Sequence, residues 1–215
     1  MLHPWLNKYP FKTKSNYLIL GTHPPKPYCG KLRFFYGNIS EFWRFLDLVY
    51  PGNKLYTNGC PKLSDIISFL DKNKFGITDI VYNPKSKRFS VDSEMGNLND
   101  SDLNPFLLNW IKNSKVDVIY FTSFGGKNSA KNLFKKWYRK ECKKPSRIKN
   151  DHINKIEILG REIQLIDLFS PSPTARRSSS RVKEFIKWRA NKKNNHDYDS
   201  FRIYWYKKYL PEIAF

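Results

Sequence analysis

The chain is poor in cysteine: Cys29, Cys60 and Cys142 are its only three, and they form no CxxC pair. Three widely separated cysteines exclude a disulfide framework and the ligand set of a zinc or iron–sulfur site. Long apolar runs are also missing, since no stretch approaches the roughly eighteen residues of a membrane-spanning helix. The first five residues contain no charged segment followed by an apolar run, so we expect no secretory signal. A cytoplasmic protein with reduced thiols is the simplest expectation.

Acidic residues are scarce beside basic ones. The sequence contains 39 Lys and Arg against 19 Asp and Glu, which gives a formal net charge of +20. Such an excess creates a positive field that concentrates polyanions, and nucleic acid is the partner that it favours most. A solvated lysine-rich surface and an anionic membrane are the alternatives. The membrane has less support, because we find no long basic amphipathic helix.

Nucleotide-binding signatures are absent as well. The sequence contains neither a Walker loop nor GxGxxG, and the pair Gly125-Gly126 is too short to predict a phosphate-binding loop. We therefore expect no nucleotide cofactor and no metal. A length of 215 residues with 40% hydrophobic content allows a buried core. This predicts one domain over residues 1–215, with residues 190–215 as a C-terminal helical extension.

Short apolar runs alternate with segments of helical periodicity along the chain. This alternation predicts an α/β domain with a mainly parallel sheet covered on both faces. Ligands bind such sheets beyond the carboxyl ends of the strands, where two loops stand out, one after residue 20 and one after residue 166. The predicted strands are 17–20, 76–81 and 116–122, with a hairpin of 155–159 and 162–166; the predicted helices are 41–49, 63–70, 104–113, 128–139, 182–189 and 201–209; residues 83–102 are predicted to be a polar loop.

The loop after the first strand is stiff and carries a histidine. Its residues are Gly21-Thr22-His23-Pro24-Pro25. Glycine lets the backbone approach a ligand closely, and the two prolines restrict the chain. His23 is then held with little freedom, as a general base or an electrostatic group near neutral pH. The alternative is a histidine that only satisfies the backbone of its own loop.

An aromatic segment follows, Phe34-Phe35-Tyr36, just before Gly37-Asn38. A ring beside a glycine offers a surface on which a planar base can stack. The alternative is ordinary core packing. Asn38 either reads a base edge through its amide or shapes a turn.

The second loop is Ser170-Pro171-Ser172-Pro173, followed by Thr174-Ala175-Arg176-Arg177. Hydroxyl groups and arginine forks suit contacts to a phosphate backbone. The alternative is a surface turn with solvated arginines. Because both loops follow strands of one mainly parallel sheet, we expect them to form a single pocket.

The order of these motifs resembles that of the uracil-DNA glycosylase superfamily, most of all its mismatch-specific and hypoxanthine-type branches. The resemblance rests on a strand ending in Gly21-x-x-Pro24, the aromatic-Tyr-Gly segment, the helix start Phe42-Trp43 and the loop that begins at Ser170. It spans about residues 15–185. It implies a three-layer α/β/α domain around a mainly parallel four-stranded sheet. It also implies hydrolysis of the N-glycosidic bond of a damaged or deaminated base in DNA.

The resemblance implies roles for individual residues. His23 stands where the family usually has Asp, Asn or Glu to position the attacking water, and Ser170 stands where several relatives have His. Asn38 lies close to the place of a functional Asn in the hypoxanthine-type branch. These three are the implied catalytic residues. The residues implied to contact the base are Gly21, Thr22, Phe35 or Tyr36, Asp79 and Thr122, and those implied to contact DNA are Ser172, Thr174, Arg176 and Arg177.

The implied function is that of a monofunctional glycosylase of base excision repair, acting as a monomer on double- or single-stranded DNA. The target base has to leave the stack, because the bond is out of reach inside a duplex. Neutral His23 would orient water, whereas protonated His23 would stabilise the departing base. Because His23 and Ser170 depart from the family pattern, the alternative is a DNA-binding module of the same fold without the chemistry. A third interpretation is a basic surface that serves assembly with a partner.

Overall fold

The residues that the structure describes are arranged around a five-stranded sheet. The computed structural model describes residues 2–25, 32–37, 40–86, 88–143, 148–191 and 197–213. The order of strands in the sheet is β4-β1-β5-β7-β6, and β2 and β3 form a separate short ribbon. The strands are β1 (Tyr17–Gly21), β2 (Tyr56–Thr57), β3 (Cys60–Pro61), β4 (Phe75–Asp79), β5 (Val118–Phe121), β6 (Ile153–Ile158) and β7 (Arg161–Asp167).

The sheet is mainly parallel, as expected, but it has one strand more than the four that the resemblance implied. Strands β4, β1, β5 and β7 are parallel neighbours, and β6 pairs antiparallel with β7 at the edge. The fifth strand is the first arm of the predicted hairpin. Leu159 and Gly160 form its turn with φ angles of 53° and 76°, the left-handed values that a tight two-residue hairpin turn needs.

All six predicted helices are confirmed, with ends that differ from the predicted ones by up to three residues. The predicted polar loop 83–102 also contains two short 3₁₀ helices, Asp92–Met95 and Asp100–Asp102, which were not predicted. Among the described residues, no helix has the length and apolar character needed to cross a membrane. The helices are α1 (Phe42–Val49), α2 (Leu63–Lys72), α3 (Leu107–Lys112), α4 (Ala130–Cys142), α5 (Lys183–Arg189) and α6 (Tyr198–Tyr209).

Both faces of the sheet are buried, because successive residues of its strands are apolar and point to opposite sides. Ile19 of β1 belongs to one hydrophobic cluster, which includes side chains of α1, α2, α5 and α6. Its neighbours Leu18 and Leu20 belong to a second cluster, with side chains of α3 and α4. The C-terminal helix is thus part of the core: the ring of Tyr206 is fully buried and lies 5.8 Å from that of Phe45 in α1.

A buried ion pair fixes α4 beside the end of β7. Lys131 Nζ lies 2.8 Å from Oδ2 of Asp167, and at most 3% of either side chain is exposed. Removing one partner of such a pair would leave an uncompensated charge in the interior, which is strongly destabilising. The pair therefore holds the first turn of α4 at the carboxyl edge of the sheet.

Candidate active site

A cavity of about 550 Å³ lies at the carboxyl ends of the four parallel strands. Segments that follow each of these strands line it, namely residues 22–25, 90–93, 122–129, and 169–172 together with 174–175. His23 and Ser170 thus line the same cavity, which confirms the expectation that the two proline-rich loops form one pocket. The topology explains this, because parallel strands that are neighbours release their loops at one edge of the sheet.

Gly21, the last residue of β1, leaves room for two polar groups, the carboxylate of Asp79 and the hydroxyl of Tyr36. Together these two groups form what we call the cavity floor. A Cβ at this position would lie 2.1 Å from Oδ1 of Asp79 and 2.4 Å from the hydroxyl of Tyr36. Any side chain here would displace one of them. Gly21 is outside the lining of the cavity, whereas Asp79 and Tyr36 are part of it. Gly21 therefore supports the site without facing a ligand.

Tyr36 is the member of the aromatic segment that faces the cavity. Phe35 is fully buried in the core, so of the two candidates for base stacking only Tyr36 lines the cavity. The Tyr36 hydroxyl lies 2.8 Å from Oγ1 of Thr122, and its ring centroid lies 4.4 Å from that of Phe42. Burial and the Asp79 carboxylate raise the pKa of Tyr36 well above its usual value. The side chain is therefore a neutral phenol at physiological pH.

His23 lines the cavity and also bonds to its own loop. Its Nδ1 lies 2.7 Å from the carbonyl oxygen of Pro24, so Nδ1 carries a hydrogen and donates it. The ring packs at a steep angle against those of His3 and Phe89, with centroids 4.8 Å and 5.5 Å away. His23 thus faces the cavity, as the first interpretation requires, and also satisfies the backbone of its own loop, as the alternative requires. The bond to Pro24 makes His23 a brace for the first loop.

A second histidine, His3, forms a hydrogen bond with the Asp79 carboxylate. Its Nδ1 accepts the backbone N–H groups of Trp5 and Leu6, at 3.1 and 3.2 Å. Nε2 is therefore the protonated nitrogen, and it donates to Oδ2 of Asp79 over 2.9 Å. His3 was not predicted, and no local pattern indicates a bond between residues 76 positions apart. A neutral imidazole beside Asp79 leaves the negative charge of that carboxylate uncancelled.

Asp92 brings another carboxylate into the cavity, from the 3₁₀ helix after β4. Its Oδ2 accepts the hydroxyl of Thr22 at 2.9 Å, and the Thr22 oxygen lies 2.9 Å from the Ser123 hydroxyl. The side-chain amide of Asn128 donates to the backbone carbonyl of Asp92 at 3.2 Å. Two segments of the chain, one after β1 and one after β5, thus hold this residue in place. Asp92 was not predicted, because it lies in a polar stretch without a recognisable pattern.

The environment of Asp92 makes it a proton acceptor suited to near-neutral pH. Burial is the largest influence and raises the pKa of Asp92 from 3.8 to about 6. The Asp79 carboxylate raises it further, and hydrogen bonds from the hydroxyls of Thr22 and Ser123 lower it. A carboxylate with such a pKa is ionised at pH 7 and remains basic enough to take a proton from water.

The second predicted loop is held in place by the C-terminal helix. Arg202 of α6 is completely buried, and its Nη1 donates to the carbonyl oxygens of Ser170 and Ser172 at 2.6 and 3.2 Å. The loop continues as a 3₁₀ helix over Pro173–Arg181. Ser170, Ser172 and Thr174 all line the cavity, as the predicted roles of these residues require. No local motif indicates the contact with α6.

The two arginines predicted to contact DNA lie outside the lining of the cavity. Arg176 is held by carboxylates: its Nη2 lies 2.8 Å from Oε2 of Glu41, and its Nε lies 3.0 Å from Oδ1 of Asp199. A phosphate would therefore have to compete with these two groups. Arg177 is exposed. Asn38, the remaining predicted catalytic residue, lies outside the described residues.

Comparison with models of known protein families gives no match, and comparison with curated proteins gives none either. The function therefore has to be inferred from the site itself.

Proposed function

We propose that this protein is a DNA glycosylase, which binds an extruded nucleotide in the cavity and hydrolyses its N-glycosidic bond. The observation that carries the proposal is the meeting of Tyr36, Asp92 and both stiff loops in one cavity at the strand ends. Helices on both faces of a mainly parallel sheet agree with a three-layer α/β/α fold of the uracil-DNA glycosylase type. A net charge of +20 supports a polyanionic partner.

The cavity can receive a base that has left the helical stack. Its volume of about 550 Å³ falls in the range of small-molecule sites. Unstacking costs a few kcal/mol, and stacking on an aromatic ring recovers about 1–3 kcal/mol per base. Tyr36 is the ring assigned to this contact, because it lines the cavity beside Thr22 and Asp79.

We assign the activation of water to Asp92. In the reaction, positive charge develops on the sugar as the bond between C1′ and the base nitrogen breaks. The water oxygen forms a new bond to C1′, and the Asp92 carboxylate takes the proton that the water loses. Thr22 and Ser123 donate to this carboxylate, which has about four acceptor sites and so keeps capacity for a water molecule. His23, the residue predicted for this role from the sequence, lines the same cavity and braces its loop through Pro24.

The proposal is tested by base release from oligonucleotides. Single strands and duplexes that carry uracil, hypoxanthine, xanthine or an alkylated base are incubated with the protein, and abasic sites are revealed with alkali. The wild type should release at least one of these bases. Asp92→Asn should slow release by about 10²–10⁴-fold, the usual contribution of a general base. Asp100→Asn makes the same chemical change at an exposed position of the same loop and should behave as wild type.

Each outcome bears on a different part of the proposal. If no base on the panel is released, the protein is not a glycosylase of this kind. Salt-dependent DNA binding without release would then favour the binding module of the same fold. If wild type and Asp92→Asn release a base at equal rates, the glycosylase activity stands and the role of Asp92 is wrong.

A further inference from the structure

The cavity floor concentrates negative charge. Asp79 and Asp92 both line the cavity, and His3 bonds to Asp79 as a neutral imidazole. The Asp79 Oδ1 and the Tyr36 hydroxyl lie within 2.4 Å of one point beside Gly21. A base stacked on Tyr36 would therefore lie close to a carboxylate.

Donors in the same region are engaged with other protein groups. The hydroxyl of Thr22 donates to Asp92, and those of Tyr36 and Thr122 bond to each other. The amide of Asn128 donates to two backbone carbonyls. Among these groups, one hydroxyl hydrogen, that of either Tyr36 or Thr122, is left for a base that needs hydrogen-bond donors.

Positive side chains are few at this site, although the chain as a whole is basic. Among the described residues that line the cavity, Lys127 is the only Lys or Arg. It is exposed, and its Nζ donates to Oδ1 of Asn97 at 2.9 Å. Most of the Lys and Arg side chains therefore lie outside the cavity, where they can contact the DNA backbone, whereas the cavity floor is anionic.

This charge distribution discriminates between classes of leaving base. Uracil and hypoxanthine depart with a negative charge, which has to be met by donors in the site. Two carboxylates close to the base would raise the energy of such an anion. A base that is positively charged before cleavage departs as a neutral molecule and needs no such donors.

We propose that the preferred substrate is a purine nucleotide alkylated at a ring nitrogen, such as N7-alkylguanine or N3-alkyladenine, whose base carries a delocalised positive charge. This inference rests on the proposed function and names its substrate class. When the C1′–N bond breaks, its electron pair neutralises the charge on the base. The water oxygen bonds to C1′ and its proton passes to Asp92, so the positive charge moves only from base to sugar, near the same carboxylates.

Aromatic side chains in the cavity suit the same class of base. Tyr36, Phe124, Phe169 and Tyr198 all line it. The face of an aromatic ring attracts a cation, and more strongly where water is excluded. A cationic purine would gain from these rings and from the carboxylates together, whereas a neutral base of the same shape gains only the stacking.

A binding experiment separates charge from shape. One duplex carries N7-methyl-2′-fluoroguanosine, in which fluorine slows base loss, and the other carries 7-deaza-7-methyl-2′-fluoroguanosine, which has the same methyl group and no positive charge. The wild type should bind the first duplex at least about tenfold more tightly, a difference of about 1.4 kcal/mol. Asp79→Asn, which keeps an acceptor for His3 and removes the charge, should bring this ratio towards one. Asp100→Asn should leave it unchanged.

Base release completes the test. DNA methylated at N7 of guanine and N3 of adenine should lose these bases at least about tenfold faster than uracil or hypoxanthine is lost, after subtraction of spontaneous loss. If uracil or hypoxanthine is released and the methylated purines are not, or if a base is released while the binding ratio is near one, the substrate class is wrong while the glycosylase activity stands. If no base is released but the binding ratio is high, the cation site stands and the hydrolysis is wrong. A ratio near one without any release overturns both.

Discussion

Replacing Asp92 by Asn should stabilise the protein at neutral pH, although it removes the proposed catalytic group. In the folded state, burial raises the pKa of Asp92 from 3.8 to about 6, whereas the unfolded chain keeps the ordinary value. Between these two values the folded protein retains a proton that the unfolded chain has lost. The resulting stability is fully present below about pH 4 and is lost as the pH rises through about 6.

The size of the effect follows from the two pKa values. Their difference corresponds to about 3 kcal/mol at neutral pH. Asparagine has the same shape as aspartate, can still accept the hydroxyl of Thr22, and does not titrate. Because its hydrogen bonds are weaker, asparagine should lower the free energy of unfolding by about 1 kcal/mol at every pH. Relative to the wild type, Asp92→Asn should therefore be about 1 kcal/mol less stable near pH 4 and about 2 kcal/mol more stable near pH 7, a change of about 3 kcal/mol over this range.

Urea denaturation at four pH values in this range measures the difference. The urea concentrations at the midpoint of unfolding are compared between variants whose free energy of unfolding has the same slope against urea concentration. A change in midpoint then reports a change in stability alone. Asp100→Asn, on an exposed carboxylate of the same loop, supplies the baseline for removing one negative charge. A gain that stays constant with pH, or that shrinks as the pH rises, would refute the view of Asp92 as a desolvated carboxylate. Higher stability with lower activity is the trade-off that strained functional groups produce.

Three further outcomes are expected. Base release should increase about tenfold per pH unit up to about pH 6, because Asp92 has to be ionised to accept a proton; a single-turnover rate that falls over this range would contradict its role. Gly21→Ala should destabilise by about 1–3 kcal/mol in urea unfolding, since its Cβ collides with the cavity floor; Gly125→Ala, whose Cβ meets nothing within 4 Å, is the control. Arg202→Met should cost about 3 kcal/mol in the same assay, because it removes a buried partner of loop carbonyls and carboxylates. Arg44→Met, with 32% of the side chain exposed, should cost clearly less; equal losses would show that burial is not the cause.

Local patterns were sufficient to predict the six α-helices, the five strands of the main sheet and the edge of the sheet at which the cavity lies, but not the β2–β3 ribbon or the 3₁₀ helices. The alternation of apolar residues reports which face of each element is buried, so the strands and helices could be found without tertiary information. Glycine and proline mark turns through their own backbone preferences. For this reason the loops beginning at Gly21 and Ser170 could be predicted, and the parallel sheet then predicts that they share an edge.

Contacts between distant segments decided the rest. Asp92 lies in a stretch with no periodic signal, and its raised pKa exists only because the ends of β1 and β5 bury it. The bond from His3 to Asp79, and the carboxylates that hold Arg176, likewise join segments far apart in the chain. Such pairings leave no mark in local composition. A side chain's charge state and its free donors depend on which groups the fold brings within hydrogen-bonding distance, and only the tertiary structure sets those distances.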